Sequence, residues 1–351
     1  MSQRPVINLL VLICGFAASA QAIDYSDAPV WDRASAMAAV RSVDIEPAVF
    51  EISNISTLAD ATTTLNRLRG IETRGDWPLP AREAAIYQFT RSLAEFPRDA
   101  VAVEIMQHLL TYQARTLVPH EEHSEAAVPL FNIRAAASGV QNGWQRAESA
   151  AEAGVLLGQN PQALVSAFLR SASYTTRAGY LDALRHADMA DIRAVQSVAL
   201  ENLRDAPELT RLVGVTATIS GDTDAARQLL IHGEGEGLVS ALKSIGDGLP
   251  RTKAAGLLVI AIQQAPASNA SLAIAAWWPL LRHEPAVREL LLDTLADPSL
   301  GSAAALALAK SPDIQTIKAL QDKAAGDSIA AQRARMALDI NRDLLAREMQ
   351  P

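Results

Sequence analysis

Residues 285–309 read Pro285-Ala286-Val287-Arg288-Glu289-Leu290-Leu291-Leu292-Asp293-Thr294-Leu295-Ala296-Asp297-Pro298-Ser299-Leu300-Gly301-Ser302-Ala303-Ala304-Ala305-Leu306-Ala307-Leu308-Ala309. Val287, Leu290, Leu291, Thr294 and Leu295 recur at helical spacing and share one face, so residues 285–296 predict an amphipathic helix. The Asp-Pro-Ser turn then stops it, and an Ala/Leu-rich second helix follows over 300–309. A connection this short makes the two helices antiparallel neighbours.

The hairpin repeats. At an offset of 30 residues Val287 falls on Ile317, Leu290 on Leu320, Asp297 on Asp327, Ala304 on Ala334, Ala307 on Ala337 and Leu308 on Leu338. Apolar positions meet apolar positions and the turn Asp meets a turn Asp. The stretch from Asp297 to Leu308 is similar to the inter-helix turn and second helix of the short HEAT-like repeats. The resemblance is carried by residues 283–340 and extends in looser form over 161–282. The family usually has Val-Arg entering the second helix, where this chain has Leu300-Gly301 and Ala330-Ala331, so the family's basic ladder is missing from both copies. The resemblance implies an α-solenoid with a binding or scaffolding role, and it supplies no catalytic residues.

Working outward, the chain from residue 81 reads as helices separated by two to six turn residues. They fall at 81–95, 99–115, 125–138, 142–157, 161–171, 174–186, 190–203, 207–219, 222–232, 235–246, 251–264, 269–282, 285–296, 300–309, 313–324 and 328–346. Pro161, Pro207 and Pro285 stand near first-turn positions, where a missing N–H costs nothing. Asp191, Asp222, Asn269 and Asp327 are candidate N-caps, and Gly158, Gly221 and Gly233 candidate stops. No strand is expected in this region. The fold expected is therefore all-α, an α-solenoid of antiparallel hairpins over 161–346, with a helical region over 81–160 continuous with it or not. Residues 23–80 form a less regular N-terminal cap: Val49-Phe50-Glu51-Ile52 suits a short strand, 55–69 a helix and 70–80 a loop.

Residues 1–22 have the form of a cleaved secretory signal peptide. Arg4 is followed by an apolar stretch from Val6 to Ala18, and Ala20-Gln21-Ala22 gives the small-x-small pattern at its end. That stretch is too short to span a bilayer, and Ile13 before Cys14 argues against a lipid anchor there. Cys14 is the chain's one cysteine, so the mature chain has neither disulfide nor thiolate chemistry. Arg far outnumbers Lys and Ala is abundant, a composition associated with GC-rich bacterial genomes. The expected location is the bacterial periplasm or the exterior. The formal net charge of −8 argues against nucleic acid as a partner. Later apolar runs are too short to be transmembrane segments.

Two constellations stand out as candidate sites. Pro119-His120-Glu121-Glu122-His123-Ser124-Glu125 gathers two imidazoles and several carboxylates, good ligands for zinc, nickel or manganese. The His spacing matches neither metalloprotease helix pattern, and a solvated connector is the bland alternative. Trp277 and Trp278 lie about 100° apart on a helix. One could be exposed to anchor a partner or stack on a sugar; burial of both is the bland alternative. Ser240-Ala241-Leu242-Lys243 has Ser-x-x-Lys spacing without the supporting motifs of penicillin-binding enzymes. Gly233-Glu234-Gly235-Glu236-Gly237 reads as a flexible connector, because its carboxylates would repel phosphate. The function expected is a non-catalytic scaffold binding a protein or peptide, needing no cofactor. The alternatives are a metal-dependent hydrolase built on His120, Glu121, Glu122 and His123, with a divalent metal, and, last, a carbohydrate-active helical protein, for which 5% aromatic residues is meagre.

Overall fold

The computed structural model describes residues 28–53, 60–123 and 126–348. Among these are eighteen α-helices and two short strands, so the protein is all-α. It divides into two compact units at Trp144/Gln145. Neither 80 nor 160, where the sequence suggested divisions, coincides with that point. The leader-like residues 1–22 lie outside the described residues.

The first unit contains α1 (Arg33–Arg41), α2 (Glu46–Ser53), α3 (Ala61–Glu72), α4 (Leu79–Ser92), α5 (Ala100–Leu110), β1 (Leu117–Pro119), β2 (Ala127–Pro129) and the first part of α6 (Ile133–Gln159). α4 is its axis, with α1, α2 and α3 packed around it. Ile86, Phe89 and Leu93 from the α4 side are fully buried with Ile105 and Leu109 of α5. Asp32, Asp60 and Asp99 cap α1, α3 and α5 by accepting backbone N–H groups of the first turn.

Three local expectations fail here. Val49 to Ile52 lies in α2 rather than in a strand; burial of one side of that turn against α4 overrides the β-propensity of Val and Ile. The predicted helix over 125–138 is replaced in part by an antiparallel hairpin pairing Leu117 with Pro129 and Pro119 with Ala127. Pro119 and Pro129 lack the N–H a helix would need, and both are tolerated at strand ends. α6 then runs unbroken through Gly158, which is no helix stop.

The chain before β1 is held by one buried carboxylate. Glu83 on α4 is fully buried, and its oxygens accept from the backbone N–H of Arg115 at 2.6 Å and of Thr116 at 2.9 Å. The Tyr112 hydroxyl is held above its ordinary range by burial, reinforced by the Glu83 and Glu72 carboxylates.

The second unit is a two-layer stack: α7 (Pro161–Arg170), α8 (Tyr174–Leu184), α9 (Met189–Asn202), α10 (Thr210–Ser220), α11 (Thr223–His232), α12 (Gly237–Gly248), α13 (Arg251–Gln264), α14 (Ala267–Leu281), α15 (Pro285–Thr294), α16 (Gly301–Ala309), α17 (Ile314–Lys323) and α18 (Ile329–Glu348). Each helix packs on the next but one. α8, α10, α12, α14, α16 and α18 form one layer, and α7, α9, α11, α13, α15 and α17 the other. Hairpin contacts such as α13 with α14 and α17 with α18 tie the layers together. This is the α-solenoid arrangement, and one apolar core runs continuously from Ala153 to Ala337.

Small residues set the layer spacing. A Cβ on Gly214 would stand 2.4 Å from the Ala241 Cβ, so α10 and α12 approach more closely than side chains would allow. Polar side chains cross between hairpins to take orphan carbonyls. The Asn269 amide donates to the carbonyls of Leu230 and Gly233, and Asn341 to those of Ala309 and Ser311. Arg333 donates to the carbonyls of Leu295, Asp297 and Pro298 around the α15–α16 turn. Asn269 therefore belongs to α14 and does not cap it. Asp222 caps α11 as the sequence suggested. α9 is entered from Asp188, with Asp191 inside its first turn. The 30-residue repeat is inexact at its turns: Asp297 accepts from the N–H groups of Ser299 and Leu300, whereas in the next copy Ser328 accepts from Ala331. Gly221 closes α10 with φ +65°, and Gly233 is extended. Pro279 does not break α14; close to the helix end, it forfeits one rung to Ala275.

Two outcomes are expected. Glu83→Ala leaves two backbone donors without their acceptor and costs about 2–5 kcal/mol in chemical denaturation, with Glu83→Gln losing less. Asp182 is held below its usual 3.8 chiefly by hydrogen bonding from Arg146. The stability it contributes is present above that usual value and is lost as pH falls through the lowered one. The stability difference between the native chain and Asp182→Asn should therefore shrink as urea titrations move to acid pH.

Candidate functional site

In an α-solenoid the helices of one layer run parallel, so their starts lie along one edge. At that edge in the second unit, α8, α10 and α12 open onto a cleft of about 500 Å³. Tyr174 and Arg177 come from the first turn of α8, which Ser173 caps by accepting from the Thr176 N–H. Arg211 comes from the first turn of α10. Glu208 comes from the 3-10 turn Pro207–Leu209 that leads into it. Glu234 and Glu236 come from the glycine-rich segment before α12, and Ser240 from α12 itself.

That segment is tied down, in contrast to the flexible connector its composition suggests. Its N–H at Glu234 donates to the Thr210 hydroxyl at 3.1 Å, and its carbonyl at Gly233 accepts from Asn269 at 2.9 Å. Gly235 takes a left-handed φ of +75°, which an L side chain adopts only with strain. A Cβ on Gly237 would come within 3.2 Å of the Arg211 Cβ, so glycine also allows the two helix starts to close. The alternating glycines thus shape the cleft wall and aim the two carboxylates.

The cleft carries both signs of charge around an aromatic platform. Tyr174 is 71% exposed, and the Arg211 guanidinium lies 4.6 Å from its ring centroid. Arg177 is braced, its Nε donating to the Phe168 carbonyl at 3.1 Å. Arg211 also helps to hold the Asp182 carboxyl below its usual range, and among the described residues its guanidinium makes no hydrogen bond. The three helix starts add partial positive charge, which the Glu residues balance.

The sites suggested by sequence are placed otherwise. His120 and His123 flank the β1–β2 turn with their rings stacked, centroids 5.2 Å apart. The Nδ1 of His120 accepts from the N–H groups of Glu122 and His123, at 3.1 and 3.2 Å, and so serves the turn itself. Glu121 faces Arg33 at 3.4 Å. Among the described residues no group of three or more His, Asp, Glu or Cys is placed to hold a metal ion. Glu125 lies outside them.

Trp277 and Trp278 are both buried, at 0% and 2% exposure, and neither is a partner-binding platform on the surface. A separation of 100° cannot expose one ring when α14 has α12, α13 and α16 around it. The Trp277 Nε1 donates to the Leu242 carbonyl at 2.7 Å. The Ser240 hydroxyl donates to the Gly237 carbonyl at 2.9 Å, an ordinary helix back-bond.

Sequence reasoning missed the cleft because Tyr174, Arg177, Glu208 and Arg211 belong to no linear motif. The available signal was the clustering of charged residues at the starts of successive helices in one layer. Among the described residues no helix is long and apolar enough to cross a membrane. No family model, no curated protein and no solved structure matches the chain.

Proposed function

We propose that this chain is an exported, non-catalytic scaffold of HEAT-like repeats, and that its second unit binds a polar peptide segment of a protein partner in the cleft at Tyr174. The observation that carries the reading is the exposed Tyr174 ring with the Arg211 guanidinium stacked over it. An exposed aromatic paired with an Arg is the composition of an interface anchor.

Charge supports a peptide over the other ligand classes. Arg177 and Arg211 stand with Glu208, Glu234 and Glu236, a mixture that meets side chains of both signs and the amides between them. A polyphosphate backbone would meet three carboxylates in the same cleft. The repeat assignment is supported by the 30-residue offset and by the layered packing of successive hairpins. Export is supported by the apolar leader-like segment and Ala20-Gln21-Ala22. The His120–His123 turn, with Nδ1 of His120 committed to the backbone, lends the hydrolase alternative no support.

The test is site-directed photo-crosslinking in the native cell. A photoreactive amino acid in place of Tyr174 should capture one recurrent protein, and the same group in place of Ile314, exposed on α17 away from the cleft, should not. Arg211→Glu should reduce that capture about tenfold or more. Equal capture at both positions, or none at Tyr174, contradicts the proposal.

A further inference from the structure

Between α14 and α16 the same layer carries a second concavity, a slot of about 350 Å³. Its walls are apolar: Leu272, Ala275, Pro279, Leu306 and Ala307 line it, with Trp278. Leu306 is 47% exposed and Leu272 36%, a large apolar exposure for two neighbouring leucines that face one opening. The volume falls within the roughly 300–1,000 Å³ of sites that hold small organic molecules.

Two features define the slot's chemistry. Arg282 and Lys310 also line the slot, and among the described residues no acidic side chain does. Neither cation has a carboxylate partner among the described residues; Arg282 Nε meets only the His283 ring nitrogen, at 3.2 Å. The second feature is the Trp278 Nε1, which is buried and has no hydrogen-bond partner among the described residues. A buried indole N–H without an acceptor is costly, and a native structure that keeps one calls for an account. The adjacent Trp277 donates to the Leu242 carbonyl, whereas Trp278 is the one of the pair that lines the slot.

We propose that the slot is a binding site for an amphipathic monoanion, with an apolar chain lying along Leu272, Leu306 and Trp278 and a carboxylate held by Arg282 and Lys310. An apolar chain entering a preformed apolar slot releases water from both surfaces. The head group then supplies the negative charge that Arg282 and Lys310 face without a carboxylate of the protein's own. This site is separate from the Tyr174 cleft and does not rest on the peptide-binding reading.

The proposal is tested by isothermal titration of the full chain with sodium dodecanoate below its micelle concentration. A single saturable site is expected. Dodecan-1-ol, with the same chain and no charge, should bind about tenfold more weakly, and dodecyltrimethylammonium should not saturate. Arg282→Glu with Lys310→Glu should weaken dodecanoate at least about tenfold at unchanged melting temperature, whereas Arg211→Glu in the other cleft should leave it unaltered. Leu306→Glu, at an exposed position that should not disturb folding, should abolish binding. Absence of saturable binding, or equal binding of dodecanoate and dodecan-1-ol, overturns the proposal. So does retention of dodecanoate affinity in the double variant. Saturation instead by an apolar peptide but not by dodecanoate would assign the slot to a protein partner and overturn it as well.

Discussion

Each helical hairpin of the second unit has more apolar surface than its own two helices can cover. Leu212 and Val213 of α10, Leu242 and Ile245 of α12, and Ile274 and Trp277 of α14 are buried where successive hairpins pack on one another, Trp277 reaching back to the Leu242 carbonyl of α12. That requirement makes the unit a stack, and the close passage at Gly214 against Ala241 fixes how tightly α10 and α12 stack. The edge of the stack inherits its geometry from this contact. Because α10 and α12 approach so closely, their first turns converge at Arg211 and Gly237, and the cleft follows.

Polar groups at the turns are arranged to serve the stack. Asn269, Asn341 and Arg333 each reach back to carbonyls left open by an earlier turn or helix end, so hairpins are joined by hydrogen bonds as well as by apolar contact. Asn269 links two purposes. Its amide holds Gly233, and Gly233 begins the segment that brings Glu234 and Glu236 to the cleft. The cleft wall is in this way a by-product of capping. The slot between α14 and α16 has the opposite character, since two helices of one layer leave a gap above Trp278 that no side chain of the unit fills.

Helix positions over 161–348 were legible because apolar spacing and turn residues point the same way. Val287, Leu291 and Leu295 are buried as their spacing requires. Features that depend on distant partners were not legible. The N–H of Trp277 and the rings of both tryptophans were settled by α12, α13 and α16, which one helix's pattern does not contain. The 117–129 hairpin escaped notice because its strands are three residues each and its turn is rich in Glu and His, a composition equally suited to a helical connector. The local alternation at Val49 to Ile52 misled for the same reason, since burial against α4 decided the outcome. The cleft residues gave a partial signal only, because convergence of first turns is a property of the layer.

If stacking on the next hairpin is what holds the second unit together, damage at one end should fade with distance. Native-state hydrogen exchange of the full chain carrying Leu320→Ala, a fully buried site on α17 worth about 2–5 kcal/mol, measures this directly. The account predicts a large loss of protection in α15–α18, a smaller one in α13 and α14, and little change in α7–α9. A uniform loss across residues 145–348 would contradict it, since a single cooperative core has no preferred direction along the chain.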